Sequence, residues 1–236
     1  SIDIWAALHA WARWSERYWY AIPSRPGQGC FGTGYNAWGV QTNQKYLAAL
    51  GALATAGAET DGLDVQWALD RALAALRFSL ASHHTGEGCC TDGTKWGRTW
   101  ISALGIERMM FAVRLLKPHL KDADRDALRR VLCDEANWLL NSYTKSGHSG
   151  VVGGLWNNSG KNVPESNIWN GALLWRTAAM YADHPDAEAW RERARQFLIN
   201  GVSVPSDAEN ETILDGKTVR ERFAGANFFP NYALDH

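Results

Sequence analysis

No stretch of the 236-residue chain reaches the roughly 18 consecutive apolar residues of a membrane span, so the sequence predicts none. Neither charge is in excess, because 24 basic residues stand against 25 acidic ones, and nothing indicates a nucleic-acid partner. A signal peptide is also lacking, since Ser1 leads directly into an amphipathic segment. Export stays open, because a mature secreted chain would look the same.

Sustained strand-type alternation is absent as well, although short strand pairs inside the loops are compatible with the sequence. Helical periodicity is present instead: one face of segment 186–200 carries Ala187, Trp190, Ala194, Phe197 and Leu198. The sequence therefore predicts an all-α protein. The predicted helices are 3–20, 40–56, 63–82, 98–117, 122–143, 165–181 and 186–200.

Four long polar, glycine-rich loops begin near Ile22, His83, Thr144 and Pro205, about 61 residues apart, and much shorter breaks lie halfway between them. This rhythm predicts antiparallel helical hairpins with all the long loops at one rim, where binding sites usually lie. Stacked hairpins form an open solenoid or a closed (α/α) toroid. We predict a toroid, with residues 1–236 as one domain that is the N-terminal part of a longer ring.

Thirteen tryptophans are the main compositional outlier. Trp38, Trp96, Trp156 and Trp169 stand in or beside the long loops, where aromatic faces next to amides and hydroxyls suit a sugar ring. The alternative is that tryptophan holds wide helical layers apart in the core.

The four cysteines leave three interpretations open. Cys30 in the first long loop and the Cys89–Cys90 pair in the second are placed for one disulfide, or they are free thiols. His83 and His84 with the cysteine pair offer four metal ligands, but adjacent pairs match zinc spacing poorly. We predict neither a metal nor a cofactor.

Four motifs carry a resemblance: E-S-N-x-W-N-G at 165–171, P-D-A-E-A-W-R-E-R-A at 185–194, D-G-K at 215–217 and A-N-F-F-P-N-Y-A-L-D-H at 226–236. Together they resemble the toroid domain of heparinase II/III-like polysaccharide lyases, best over residues 165–236. The resemblance implies cleavage of an acidic polysaccharide by β-elimination, in which an amide neutralises a uronate carboxylate and thereby acidifies the sugar C5 proton.

Carried over residue by residue, the resemblance implies that Asn167 or Asn170 is the neutraliser and that Glu165 orients the asparagines. It makes Tyr232 the acid and base, and His236 a base or its helper. Many alginate-lyase relatives have an adjacent Asn-His pair on this helix, but no histidine lies between Glu165 and Tyr181. That departure leaves His148 or His236 as the base. The predicted substrate-binding residues are Trp156, Asn157, Asn158, Trp169, Asn170, His148, Trp96 and Asn227.

Other functions stay open at this point. A glycoside hydrolase needs two opposed carboxyl groups, and Glu87, Asp92, Glu165 and Asp235 are the candidates. A glycan-binding repeat protein without activity and a metal-dependent cyclase-type toroid are further alternatives. The expected partners are a polysaccharide or oligosaccharide and the remaining C-terminal part of the same protein, and the expected location is secreted or periplasmic.

Overall fold

A computed structural model describes residues 3–145, 148–153 and 164–231 and confirms the all-α class. The described α-helices are α1 (Ile4–Ser15), α2 (Trp38–Thr55), α3 (Val65–Ser82), α4 (Ser102–Leu116), α5 (Asp122–Asn141), α6 (Pro164–Met180), α7 (Ala187–Gly201) and α8 (Val219–Arg222). None of them is long and apolar enough to cross a membrane.

Short antiparallel strand pairs lie in three of the four long loops. They are β1 (Trp19–Ala21) with β2 (Gly29–Phe31), β3 (Thr144–Lys145) with β4 (His148–Ser149), and β5 (Ile213–Leu214) with β6 (Lys217–Thr218). The first pair explains why α1 is shorter than predicted: the chain leaves the helix after Ser15 and enters β1 at Trp19.

The start of α4 also differs from the sequence prediction. Gly97 and Arg98 adopt φ values of 115° and 51°, which lie outside the helical region, so the helix begins only at Ser102. A left-handed backbone conformation is unusual for arginine, and no sequence pattern predicts it.

The chain divides into two compact units, residues 1–131 and 132–236. In the first unit, α2 and α4 run parallel and in close contact. A Cβ added to Gly51 would lie 2.9 Å from the Cβ of Ala112, and one added to Gly105 would collide with the side chain of Gln44. Helix α3 runs antiparallel to α2, and Asn43 Nδ2 of α2 donates to the Ala75 carbonyl of α3 at 3.0 Å.

In the second unit, α6 and α7 form a tight antiparallel hairpin. A Cβ at Gly171 would lie 2.7 Å from Leu198 Cγ, and one at Gly201 would lie 2.5 Å from Ile168 Cδ1. The second half of α5 lies along α7, where Trp190 Nε1 donates to Asn137 Oδ1 at 2.9 Å. These two glycines therefore let the helices approach more closely than larger side chains allow.

The long loops meet in pairs inside each unit. In the first unit, Thr91 N donates to the Gly34 carbonyl at 3.1 Å and Asn36 N donates to Asp92 Oδ2 at 2.9 Å. In the second, a Cβ at Gly153 would lie 2.5 Å from the Gly225 carbonyl. In each unit, the two neighbouring long loops therefore lie at the same end. The closure of the hairpins into a toroid and the single domain stay predictions.

Candidate functional site

Four buried polar side chains gather where α6 begins in the second unit. Ser166, Asn167 and Asn170 lie in the first two turns of the helix, and Tyr143 follows the last turn of α5. Each is at most 1% exposed. Ser166 and Asn170 are four residues apart and therefore share a helix face. We call these four residues the polar cluster.

Most polar atoms of the polar cluster have no hydrogen-bond partner among the described residues. These atoms are Tyr143 Oη, Ser166 Oγ, Asn167 Oδ1 and both side-chain atoms of Asn170. The amide nitrogen of Asn167 is the exception, because it donates to the Val152 carbonyl at 2.8 Å. A buried polar atom left unpaired costs about 1–3 kcal/mol, so this concentration suggests a place prepared for a polar ligand or for water.

Burial raises the pKa of Tyr143 to about 12. The Asn170 and Ser166 side chains lower this pKa by a smaller amount as weak hydrogen-bond donors, although their contacts with the Tyr143 hydroxyl do not reach full hydrogen-bond geometry. The negative charge of Glu165 raises the pKa. The Tyr143 ring is held by edge contacts with Trp138 and Phe197, at centroid distances of 5.4 and 5.8 Å. Tyr143 therefore stays protonated at neutral pH, as tyrosine ordinarily is, so at that pH it can donate a proton but cannot act as the base.

The structure brings several of the predicted site residues together. Asn167 and Asn170 are buried in the polar cluster, and Glu165 is exposed on the first turn of α6 while its charge reaches Tyr143. Trp169 lies half-buried on the same helix. The backbone of His148 pairs with Lys145 in the β3–β4 hairpin.

Other predicted residues lie outside what the structure describes. They are Trp156, Asn157, Asn158, Tyr232, Asp235 and His236, together with the side chain of His148. Their roles stay predictions.

The placement of Trp96 does not support its predicted role in sugar binding. Trp96 is 3% exposed, and its indole nitrogen donates to the Ser79 carbonyl at 2.7 Å. Its ring also packs edge-on against His83, with centroids 4.8 Å apart. The ring therefore belongs to the core of the first unit and offers no exposed face.

The contacts of Asn227 likewise indicate a structural role and not the predicted role in substrate binding. It is fully buried, and its amide nitrogen donates to the Asn200 carbonyl. Its backbone nitrogen donates to the Ser203 carbonyl at 3.0 Å. These bonds fasten the fourth loop to the end of α7, although Asn227 Oδ1 has no partner in the part of the chain described.

The cysteine-rich second loop shows neither the disulfide nor the four-ligand metal cluster that the sequence left open, and its thiols are unbridged. None of the four cysteines forms a disulfide, and Cys30 and Cys90 are buried while Cys89 is exposed. Within the described ranges, no three of His83, His84, Cys89 and Cys90 bring their ligand atoms within 4.8 Å of one another.

Tyr143 is the site residue that the sequence interpretation missed. It continues the apolar face formed by Leu132, Ala136 and Leu139 of α5, so it was counted as a helix position only. A hydroxyl at the end of an apolar face, directly before a long polar loop, is the signal that points to it.

Comparison with protein-family models, with curated proteins and with solved structures found no match to this chain.

Proposed function

We propose that this protein is a carbohydrate-active enzyme that cleaves an acidic or complex polysaccharide by β-elimination, on a scaffold of hairpins arranged as an (α/α) toroid. The observation that supports the proposal most is the polar cluster. It combines a protonated tyrosine with an asparagine whose amide oxygen and nitrogen are both unpaired among the described residues. These are the two kinds of group that elimination beside a carboxylate requires.

In the proposed reaction, the amide group of Asn170, with Asn167 beside it, binds the uronate carboxylate and stabilises the negative charge that develops next to it. A base removes the C5 proton, the C4–O bond breaks, and a C4–C5 double bond forms. Tyr143 donates its proton to the departing glycosidic oxygen. Tyr232, His148 and His236 remain the candidates for the base, and Glu165 is a positioning residue beside Tyr143.

The hairpin packing within each unit supports the scaffold part of the proposal. In the first unit, α2 and α4 are parallel neighbours with α3 antiparallel to α2. In the second, the end of α5 runs with α7, and α6 opposes α7. Such alternation is typical of solenoids and toroids. A secreted or periplasmic location follows only from the substrate class and is part of the proposal.

One observation argues against Asp92 as the catalytic acid of a glycoside hydrolase. Burial raises the pKa of Asp92, but hydrogen bonds from the Asn36 and Thr94 backbones and from the Thr94 hydroxyl outweigh it and leave that pKa below its ordinary value. A catalytic acid needs a raised pKa, so Asp92 is suited to stabilising its loop.

The test is an ultraviolet absorbance assay on a panel of uronic-acid polysaccharides, because elimination alone creates a conjugated double bond. We expect wild-type protein to raise the absorbance and Tyr143→Phe to lower the rate at least about a hundredfold, the range of general acid catalysis. Tyr18→Phe is the matched control, since Tyr18 is 47% exposed on the first unit. New reducing ends without absorbance would favour a hydrolase, and glycan binding without turnover would favour a binding protein.

A further inference from the structure

Two buried amide side chains in the first unit, where α2 faces α4, have atoms without a partner among the described residues. Gln41 is 2% exposed, and neither its oxygen nor its side-chain nitrogen has a partner in the described chain. Gln44 is 1% exposed, and its side-chain nitrogen likewise has none. The absent side chain of Gly105 makes room for them, because a Cβ there would collide with Gln44 and lie 3.4 Å from Gln41 Cγ.

Two cations without an ion-pair partner among the described residues accompany these amides. Arg108 lies one turn after Gly105 on α4, and its Nη1 is buried with no partner among the residues described. Lys45 follows Gln44 on α2, and its pKa is lowered first by partial burial and then by the positive charge of Arg108. Because α2 and α4 are parallel, their positive helix ends also lie at the same end of the pair. The seam between these two helices therefore favours an anion.

Exposed aromatic rings stand at that same end. Trp38 and Trp100 are 56% and 37% exposed, and their ring centroids are 6.2 Å apart. Ala37 and Arg98, which precede them closely, adopt φ values of 60° and 51° that residues other than glycine rarely take. Trp38 lies one helical turn before Gln41, so an aromatic surface and unpaired amides are neighbours on α2.

We infer that the seam between α2 and α4 in the first unit is a binding subsite for a carboxylate-bearing sugar ring. Trp38 and Trp100 contact the apolar face of the ring, the Gln41 amide pairs with ring hydroxyls, and Arg108 pairs with the carboxylate. The choice of an acidic sugar rests on the proposed function. The site itself rests on the buried unpaired amides, the uncompensated cations and the exposed rings.

Isothermal titration calorimetry with tetramers of galacturonate and of alginate tests the inference, with cellotetraose as the neutral comparison. The titrations use full-length Tyr143→Phe protein, so that turnover does not consume the ligand. We expect an acidic tetramer to bind more tightly than cellotetraose and to bind more weakly as salt rises. Trp38→Ala, Gln41→Leu and Arg108→Met should each weaken that binding about ten- to a hundredfold.

Matched controls separate loss of the subsite from loss of the fold. Trp14→Ala removes a tryptophan that is 47% exposed on α1, and Arg114→Met removes an exposed arginine of α4. Both should bind within twofold of the background protein. Gln41→Leu should also keep or raise the unfolding midpoint, because leucine removes an unpaired buried amide of similar size.

The inference is overturned if no acidic tetramer binds, if cellotetraose binds equally well, or if the three substitutions leave the affinity unchanged. Failure of the proposed function looks different. Binding that depends on Trp38, Gln41 and Arg108, in a protein that makes no unsaturated product, keeps the subsite and removes the lyase. If unsaturated product forms but the three substitutions leave binding unchanged, the lyase function is kept and the subsite is rejected.

Discussion

Replacing Asn170 by leucine tests whether this asparagine binds a ligand or stabilises the fold. Both side-chain atoms of Asn170 are buried without a partner among the described residues, whereas Asn200 in the same unit is fully bonded. Asn200 Nδ2 donates to the carbonyls of Gln196 and Arg222 at 2.8 and 2.7 Å, and its Oδ1 accepts from Ala224 N at 2.7 Å. The two asparagines therefore form a matched pair with opposite expectations.

The magnitudes follow from the hydrogen bonds. Asn200→Leu removes three bonds worth about 1 kcal/mol each and leaves buried backbone groups unpaired, so we expect a loss of about 3–5 kcal/mol. Asn170→Leu removes only the weak contact with the Tyr143 hydroxyl, with no hydrogen bond of full geometry to the described chain, and it relieves the burial of that amide. The free energy of unfolding should stay constant or rise by as much as about 2 kcal/mol, while elimination activity disappears.

Equilibrium unfolding in urea, followed by circular dichroism, measures both free energies, and the absorbance assay measures activity. The reasoning is refuted if Asn170→Leu loses as much stability as Asn200→Leu, because the Asn170 amide then has structural partners. It is also refuted if Asn170→Leu remains fully active.

Three further predictions concern pH and packing. The pKa of Tyr143 is higher in the folded chain than in the unfolded one. Its stabilising contribution is therefore complete below about pH 10 and disappears as the pH rises through about 12. In urea titrations at alkaline pH, the free energy of unfolding should fall by about 2–3 kcal/mol more for wild type than for Tyr143→Phe. Burial raises the pKa of Asp124, but the hydrogen bonds and charge of Arg77 outweigh this effect and lower the pKa. The stability from this pair is therefore present above the unfolded-state pKa and is lost as the pH falls through the folded-state pKa. Asp124→Asn should reduce the fall of the free energy of unfolding at acid pH, and an unchanged fall contradicts this. Gly51→Val should destabilise the protein by about 1–3 kcal/mol in the same urea assay, because its Cβ would lie 2.9 Å from that of Ala112, and a stable variant would mean that α2 and α4 are not in close contact.

Periodicity along the chain predicted the helices well because each apolar face is buried locally. On the predicted apolar face of α7, Trp190, Ala194 and Phe197 are fully buried, while Leu198 is half-buried. The start of α4 and the end of α1 were predicted less well, because they depend on local backbone conformation. Arg98 at φ 51° delays α4, and residue type alone does not reveal that angle.

The candidate site could be predicted only in part. The start of α6 was identified from its motif, since Asn167 and Asn170 lie within one turn. Tyr143 was not, because its approach to Asn170 and Ser166 depends on how α5 packs in the second unit. The tryptophans illustrate the same limit: Trp96 stands in a long polar loop and Trp38 beside one, yet packing buries Trp96 and leaves Trp38 exposed.

The central claim is the elimination chemistry, and mass spectrometry of the reaction products tests it most directly. Wild-type protein should release an acidic fragment lighter by one water than the corresponding hydrolysis product, together with the rise in ultraviolet absorbance. Tyr143→Phe should release neither at a comparable rate, and Tyr18→Phe should match wild type. Fragments of full hydrolytic mass, without absorbance, would contradict the account.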